Sequence, residues 1–198
     1  MTFDPDSSSE NASLTMPVSK RDHIQGLTDA PLTLVEYGDY ECPACGQAYP
    51  IIKAIQHAAG KQLRFVFRNF PLVNAHPYAE HAAEAAESAG TRGRFWEMHD
   101  LLFENQAGLE DQQLAQYAME LGLDARTLVT EVREGRFTPR IREDFISGVK
   151  SGVNGTPTFF INGLRYDGDY DARSILGALE GSRASQSKTR RPNRSRSL

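Results

Sequence analysis

Apolar residues along this chain change period twice. Leu32-Thr-Leu-Val-Glu-Tyr37 is rich in β-branched and aromatic side chains and predicts a strand. Beyond residue 50, Ile51, Ile52, Ile55, Ala58 and Ala59 recur at helical spacing until Gly60 stops the pattern. Leu63-Arg-Phe-Val-Phe-Arg68 then alternates as a second strand. From His76-Pro77 onward the signals are helical: Ala79, Ala82, Ala83 and Ala86 form a small-residue face, ended by Gly90 and Gly93. Phe95, Met98, Leu101 and Leu102 mark a second helix of this block, and Leu114, Ala118 and Leu121 a third. Asp124 caps a short fourth carrying Leu128 and Val132. Thr138-Pro139 opens a fifth, with Ile141, Phe145, Val149 and Gly152 on one side. Strands return at Thr158-Phe-Phe-Ile161 and Leu164-Arg-Tyr166, joined by the hairpin dipeptide Asn162-Gly163, and Asp171 to Leu179 supplies a last helix. The order β-α-β, helical block, β-β-α predicts an α/β fold: a mixed sheet of about four strands with an inserted helical subdomain near residues 75–152. The strand from Thr158 is expected beside the strand from Thr33, and the helical block is expected as a lid over one end of the sheet.

At 198 residues the chain can bury one substantial core. Residues 23–181 form the expected domain. Residues 1–22 carry Asp4, Asp6 and Glu10 among serines and are expected as a disordered extension. They do not read as a secretory signal, and the two cysteines do not suggest extracellular stapling, so a cytoplasmic location is expected. Residues 182–198 hold six basic residues and no acid, and are expected as a disordered basic tail. Removing those six charges from the net −4 leaves a body of −10, with no basic surface for nucleic acid. No apolar run is long enough to span a membrane.

Thiol chemistry enters with Cys42 and Cys45, the only cysteines, in Cys-Pro-Ala-Cys between the first strand and the first helix. Pro43 falls at the first helical position, which makes Cys42 the cap, facing orphan amide donors and the positive end of the helix dipole. Those features favour a thiolate, the nucleophilic form. One turn further, Cys45 comes close enough to close a disulfide. Cys42 is expected as the exposed nucleophile and Cys45 as the buried resolver. A structural zinc site needs about four ligands, and no third cysteine exists and no histidine stands at ligand spacing. Neither metal nor cofactor is implied. A purely structural disulfide across so short a loop would stabilise little.

Two segments carry a family resemblance. Val35-Glu-Tyr-Gly-Asp-Tyr-Glu-Cys-Pro-Ala-Cys45 and Gly152-Val-Asn-Gly-Thr-Pro-Thr-Phe-Phe-Ile-Asn-Gly163 together resemble the two signatures of the thioredoxin-like superfamily, in its DsbA-like branch of disulfide oxidoreductases. The resemblance spans about Pro31 to Glu180 and implies a thioredoxin-like fold and thiol-disulfide exchange with protein or peptide thiols, recharged by a thioredoxin or glutathione system. It implies that Pro157 is a cis proline facing the cysteines, with Thr156 offering backbone groups to an extended substrate. It also places an acid, Glu36, beneath the resolving cysteine, where a desolvated carboxylate can take the Cys45 proton. The plainer alternative is a glutamate satisfied by Lys61 or Arg68.

Tyr40 and Pro43 are expected to shape an exposed lip, and Asp39 and Glu41 to be surface charges that oppose the thiolate. Many strongly oxidising relatives carry histidine where this chain has Ala44, which offers no hydrogen bond or charge. A thiolate less stabilised than in those relatives, though still more acidic than a free cysteine, and a potential nearer a reductase are therefore expected. A glutathione-dependent transferase or isomerase, or a peptide-binding chaperone, can share the fold without needing Cys45, so retained function in Cys45→Ser would favour either.

Overall fold

A computed structural model describes residues 12–189. The sheet has five strands in the order β1 (His23–Gln25), β3 (Leu63–Asn69), β2 (Leu32–Gly38), β4 (Thr158–Ile161) and β5 (Leu164–Tyr166). β2 runs parallel to β3 and antiparallel to β4, with Leu34 opposite Ile161 and Tyr37 opposite Thr158. β4 and β5 turn through Asn162 and Gly163, both at positive φ, the conformation a tight hairpin demands. β1, which the sequence pattern did not announce, pairs antiparallel with β3.

β2 is buried along its whole length, and its alternation feeds two cores. Leu34 faces the larger core with Phe65, Phe67 and the helical block, while Val35 and Tyr37 face Val66, Phe70 and Phe160. Helix α1 (Pro43–Ala59) lays Cys45, Ala48, Ile52 and Ile55 on the larger core and ends at Gly60, φ +50°. The inserted block comprises α2 (Ala79–Gly90), α3 (Phe95–Glu104), α4 (Asp111–Glu120), α5 (Ala125–Arg133) and α6 (Thr138–Lys150). α2 runs through its centre, so its alanines are buried on every side rather than along one face. Its buried Glu84 accepts the Phe137 amide (2.7 Å) and the Thr138 hydroxyl (2.8 Å), capping the start of α6.

Three expectations are corrected here. Helix α6 does not bury its apolar stripe: Val149 is 53% exposed, while Asp144, Ser147 and Gly148 face inward with Ile141. Charge and size decide this rotation. Asp144 takes Arg21 and Arg140, and a Cβ on Gly148 would press on Phe70 and Tyr37 at 2.8–2.9 Å. Secondly, residues 12–22 are packed rather than disordered. The fully buried Arg68 donates to Asp22 (2.8 Å), the Tyr37 hydroxyl (2.8 Å) and the Met16 carbonyl (3.0 Å), and Leu14 donates to the Gly163 carbonyl. A buried guanidinium must fill its donors, and this segment supplies the acceptors. Thirdly, α7 (Ala172–Thr189) carries helix into the expected tail. The rest of both expected extensions, residues 1–11 and 190–198, lies outside the described residues.

Candidate active site

Strand β2 ends at Gly38, where an added side chain would collide with the Phe67 ring. The chain then turns through Asp39–Cys42 into α1, with Cys42 at the cap and Pro43 at the first helical position. Across the turn, the cis Thr156–Pro157 peptide opens β4. The Cys42 thiol donates to the Thr156 carbonyl at 3.3 Å. Cys42, Cys45, Thr156 and Pro157 thus converge, and Pro43 and Ala44 form an exposed lip beside them.

Both cysteines are free; Cys45 has no exposure, and Cys42, expected to be the exposed one, retains only 7%. Their acidities nonetheless diverge. Cys42 is pulled down to about 5, first by a hydrogen bond from the Cys45 thiol, with burial opposing, then by Thr156 and the amides of Cys45 and Ala44. The Thr156 hydroxyl is buried without a hydrogen-bond partner in this dithiol state, so it is free to serve the thiolate. Cys45 is driven far up by burial, by donating to Cys42 and by the nearby Glu36, against only the Asp39 amide at 3.5 Å. At neutral pH the pair is therefore Cys42 thiolate over Cys45 thiol. The Ala44 side chain contributes nothing to this acidity; helix-terminal amides and the neighbouring thiol supply it.

Glu36 lies buried on the larger-core face of β2, and burial, reinforced by the Cys42 charge, pushes its carboxyl up to about 8. Arg68 does not neutralise it, being committed to Asp22 and Tyr37, and Lys61 is exposed. A protonated carboxyl thus lies near Cys45 at neutral pH.

Three neighbours sit otherwise than expected. Tyr40 is buried, not on the lip; its hydroxyl meets His99 Nδ1 (3.1 Å) and its ring packs on Phe67 and Phe103. His99 stays neutral there, its pKa lowered to about 3 by burial and then by Lys53 and His23. Asp39, expected at the surface, is 1% exposed and accepts the Glu41 amide, the Leu72 amide and His76 Nδ1, each at 2.8 Å. Glu41 is half-buried and accepts the Tyr78 amide at 2.6 Å.

Sequence reading missed two contributors altogether. Gln106, in the loop after α3, donates to the carbonyls of Tyr40 and Cys42 (2.8 Å each), fixing the turn to the helical block. Its amide fills the space a side chain at residue 46 would take, so Gly46 and Gln106 are a matched pair. His76 was seen only as the start of a helical stretch. No local signal marks either residue, because each acts across the fold.

A family model described as Thioredoxin matches residues 18–181. Among curated proteins, an Na(+)/H(+) antiporter NhaA 1 of Salinispora arenicola is 43% identical over 190 residues, covering 93% of this chain but 29% of the antiporter. The chain thus spans less than a third of the length of that relative. Among solved structures, BdbD from Bacillus subtilis, in its oxidised form, aligns with a TM-score of 0.79 at 25% identity over 88% of this chain and 99% of BdbD. A periplasmic thioredoxin-like protein of Salmonella enterica serovar Typhimurium aligns with a TM-score of 0.68 at 22% identity, over 83% and 91% of the two chains. The expected cytoplasmic location is corrected by that likeness: the neighbour of the same fold is a periplasmic protein, and the fold gives a cytoplasmic location no support. The fold and the paired cysteines are those of a thioredoxin- and DsbA-like oxidoreductase.

Proposed function

The chain belongs to the thioredoxin family, and from that premise we propose that it is a protein thiol-disulfide oxidoreductase working through Cys42 and Cys45. The observation that carries this reading is the asymmetry of the pair: an acidic sulfur at a helix N-terminus over an enclosed thiol with a raised pKa.

In the oxidising direction a substrate thiolate attacks Cys42 Sγ of the Cys42–Cys45 disulfide. The sulfur–sulfur bond breaks, Cys45 leaves with the electron pair, and the Glu36 carboxyl supplies its proton. A second substrate thiolate then attacks the substrate sulfur of the mixed disulfide and releases Cys42 as a thiolate. The substrate dithiol has lost two electrons and the cysteine pair has gained them. A leaving thiol that ionises near pH 5 departs readily, which favours disulfide donation over reduction. In reverse, ionised Glu36 accepts the Cys45 proton as that sulfur resolves the mixed disulfide. Thr156, at the open end of β4, offers its carbonyl to an extended peptide, so recognition by strand pairing suits unfolded polypeptide thiols.

Equilibration of the protein in glutathione buffers tests the reading. A potential well above thioredoxin's value of about −270 mV is expected, together with oxidation of a reduced unfolded protein. A couple at or below thioredoxin's potential would overturn the oxidising direction; absence of any exchange would overturn the function. Among the described residues no helix is long and apolar enough to cross a membrane.

A further inference from the structure

Ala44 leaves empty the place from which a cation could face the Cys42 sulfur, yet one histidine is anchored to the same turn from another loop. We propose that His76 is a positioning residue of the redox couple: held on the buried Asp39 carboxylate, its imidazolium acts on Cys42, so that the protonation of His76 and the oxidation state of the cysteine pair are linked. This rests on the assignment of Cys42 and Cys45 as the redox pair.

The geometry runs through Asp39. Its main chain touches both cysteines, accepting the Cys42 amide at 3.2 Å and donating to Cys45 Sγ at 3.5 Å. Its carboxylate, wholly enclosed, binds the loop at two points, the Leu72 amide and His76 Nδ1, both at 2.8 Å. Glu41 adds a third tie through the Tyr78 amide. Residues 70–78 are therefore held rigidly against the turn, with His76 18% exposed at the boundary. A buried carboxylate without a cation would be expensive, and the imidazolium is what compensates Asp39.

Burial alone would lower the His76 pKa; the Asp39 hydrogen bond and charge, followed by Cys42 and Glu41, outweigh it and raise it. Coupling is reciprocal: if the Cys42 thiolate favours the imidazolium, the imidazolium favours the thiolate by the same free energy. The titratable groups acting on His76 all come from the turn, and its own loop carries no other charged residue. Asp39 and Glu41 take no part in the disulfide. Only Cys42 changes, because oxidation by a substrate disulfide converts its thiolate into the Cys42–Cys45 bond. Two electrons and the Cys45 proton pass to the departing substrate thiols. With the thiolate charge gone, His76 holds its proton less tightly.

The test is a pH titration of the His76 ring by proton NMR on the whole protein, fully reduced and fully oxidised, with the signal assigned by its loss in His76→Gln. The expected result is a His76 pKa higher in the reduced form by about 0.5–1, the range left to a partly exposed charge pair. His76→Gln should raise the Cys42 midpoint, read by thiolate absorbance, by a matching amount. Identical His76 titrations in the two redox states would overturn the proposal. Because that comparison uses unaltered protein, misfolding of the variant cannot mask the answer. A protein that exchanges disulfides but shows a redox-independent His76 refutes this linkage alone. Failure of exchange with a redox-dependent His76 refutes the enzymatic reading and leaves the linkage standing.

Discussion

Glu36→Gln should make the reduced protein more stable, by an amount that grows with pH. The Glu36 carboxyl stands at about 8 in the folded protein against an ordinary value of 4.5, chiefly because burial penalises its charge. Between those values the folded state binds a proton that the unfolded state has released, so stability falls as pH rises. Its contribution is intact below pH 4.5 and is lost progressively up to pH 8. At about 1.36 kcal/mol per pH unit across that window, the wild type should trail Glu36→Gln, relative to their difference in acid, by about 1 kcal/mol at pH 5, 3 at pH 7 and 4 at pH 8. Gln is nearly isosteric and uncharged, so titration of groups that do not interact with Glu36 cancels in the difference, and its charge coupling to Cys42 is part of what is read. Urea unfolding of both proteins under reducing conditions at pH 5, 6, 7 and 8 measures it. Parallel stability curves would refute the reasoning, showing that Glu36 is solvated or paired and is not the proton store beneath Cys45. The same substitution should slow resolution of a mixed disulfide by about 10²-fold, the scale of general acid–base assistance, while leaving Cys42 alkylation nearly unchanged.

Other outcomes follow from the same geometry. Iodoacetamide at pH 6 should label Cys42 and spare Cys45, read by peptide mass spectrometry; Cys42→Ser should abolish exchange and Cys45→Ser should accumulate mixed disulfides, whereas label on Cys45 would reverse the roles. Thr156→Val removes the one uncommitted hydroxyl beside Cys42 and should raise its thiolate midpoint and make the couple less oxidising; an unchanged absorbance titration would mean the hydroxyl never reaches the sulfur. Asp22→Ala strands the enclosed Arg68 and should lower stability by about 3–5 kcal/mol, with residues 12–22 becoming protease-sensitive; a loss below 1 kcal/mol would mean the Tyr37, Met16 and Pro17 acceptors suffice. Gln106→Ala, which leaves the Tyr40 and Cys42 carbonyls without that donor, should lower stability by about 1–3 kcal/mol in denaturant titrations.

What the residue order determined by itself was whatever depends on neighbours in the chain. A β-rich run ending at Gly38, Pro43 at a helix start, Gly60 at its end, and Asn162-Gly163 between two strands each impose a local conformation through φ restriction, missing donors or capping. From these came the element order, the β4 strand beside β2, and Cys42 at a cap one turn from Cys45. Glu36 was legible as a face assignment because a strand has a period of two. The tertiary structure decided everything that depends on desolvation and on distant partners. Burial, a quantity no local pattern carries, moved Asp39 and Tyr40 from an expected surface to the interior and lifted Glu36 to about 8. Helix α6 obeyed its apolar stripe only in part, since its Asp144 had to compensate Arg21 and Arg140 and a close approach to Phe70 required Gly148. His76 and Gln106 reach the redox turn from 34 and 64 residues beyond Cys42, separations at which sequence spacing says nothing about contact. The reactivity of Cys42 belongs to this second class: its cap position is local, but its acidity depends on a buried thiol and on a threonine 114 residues away.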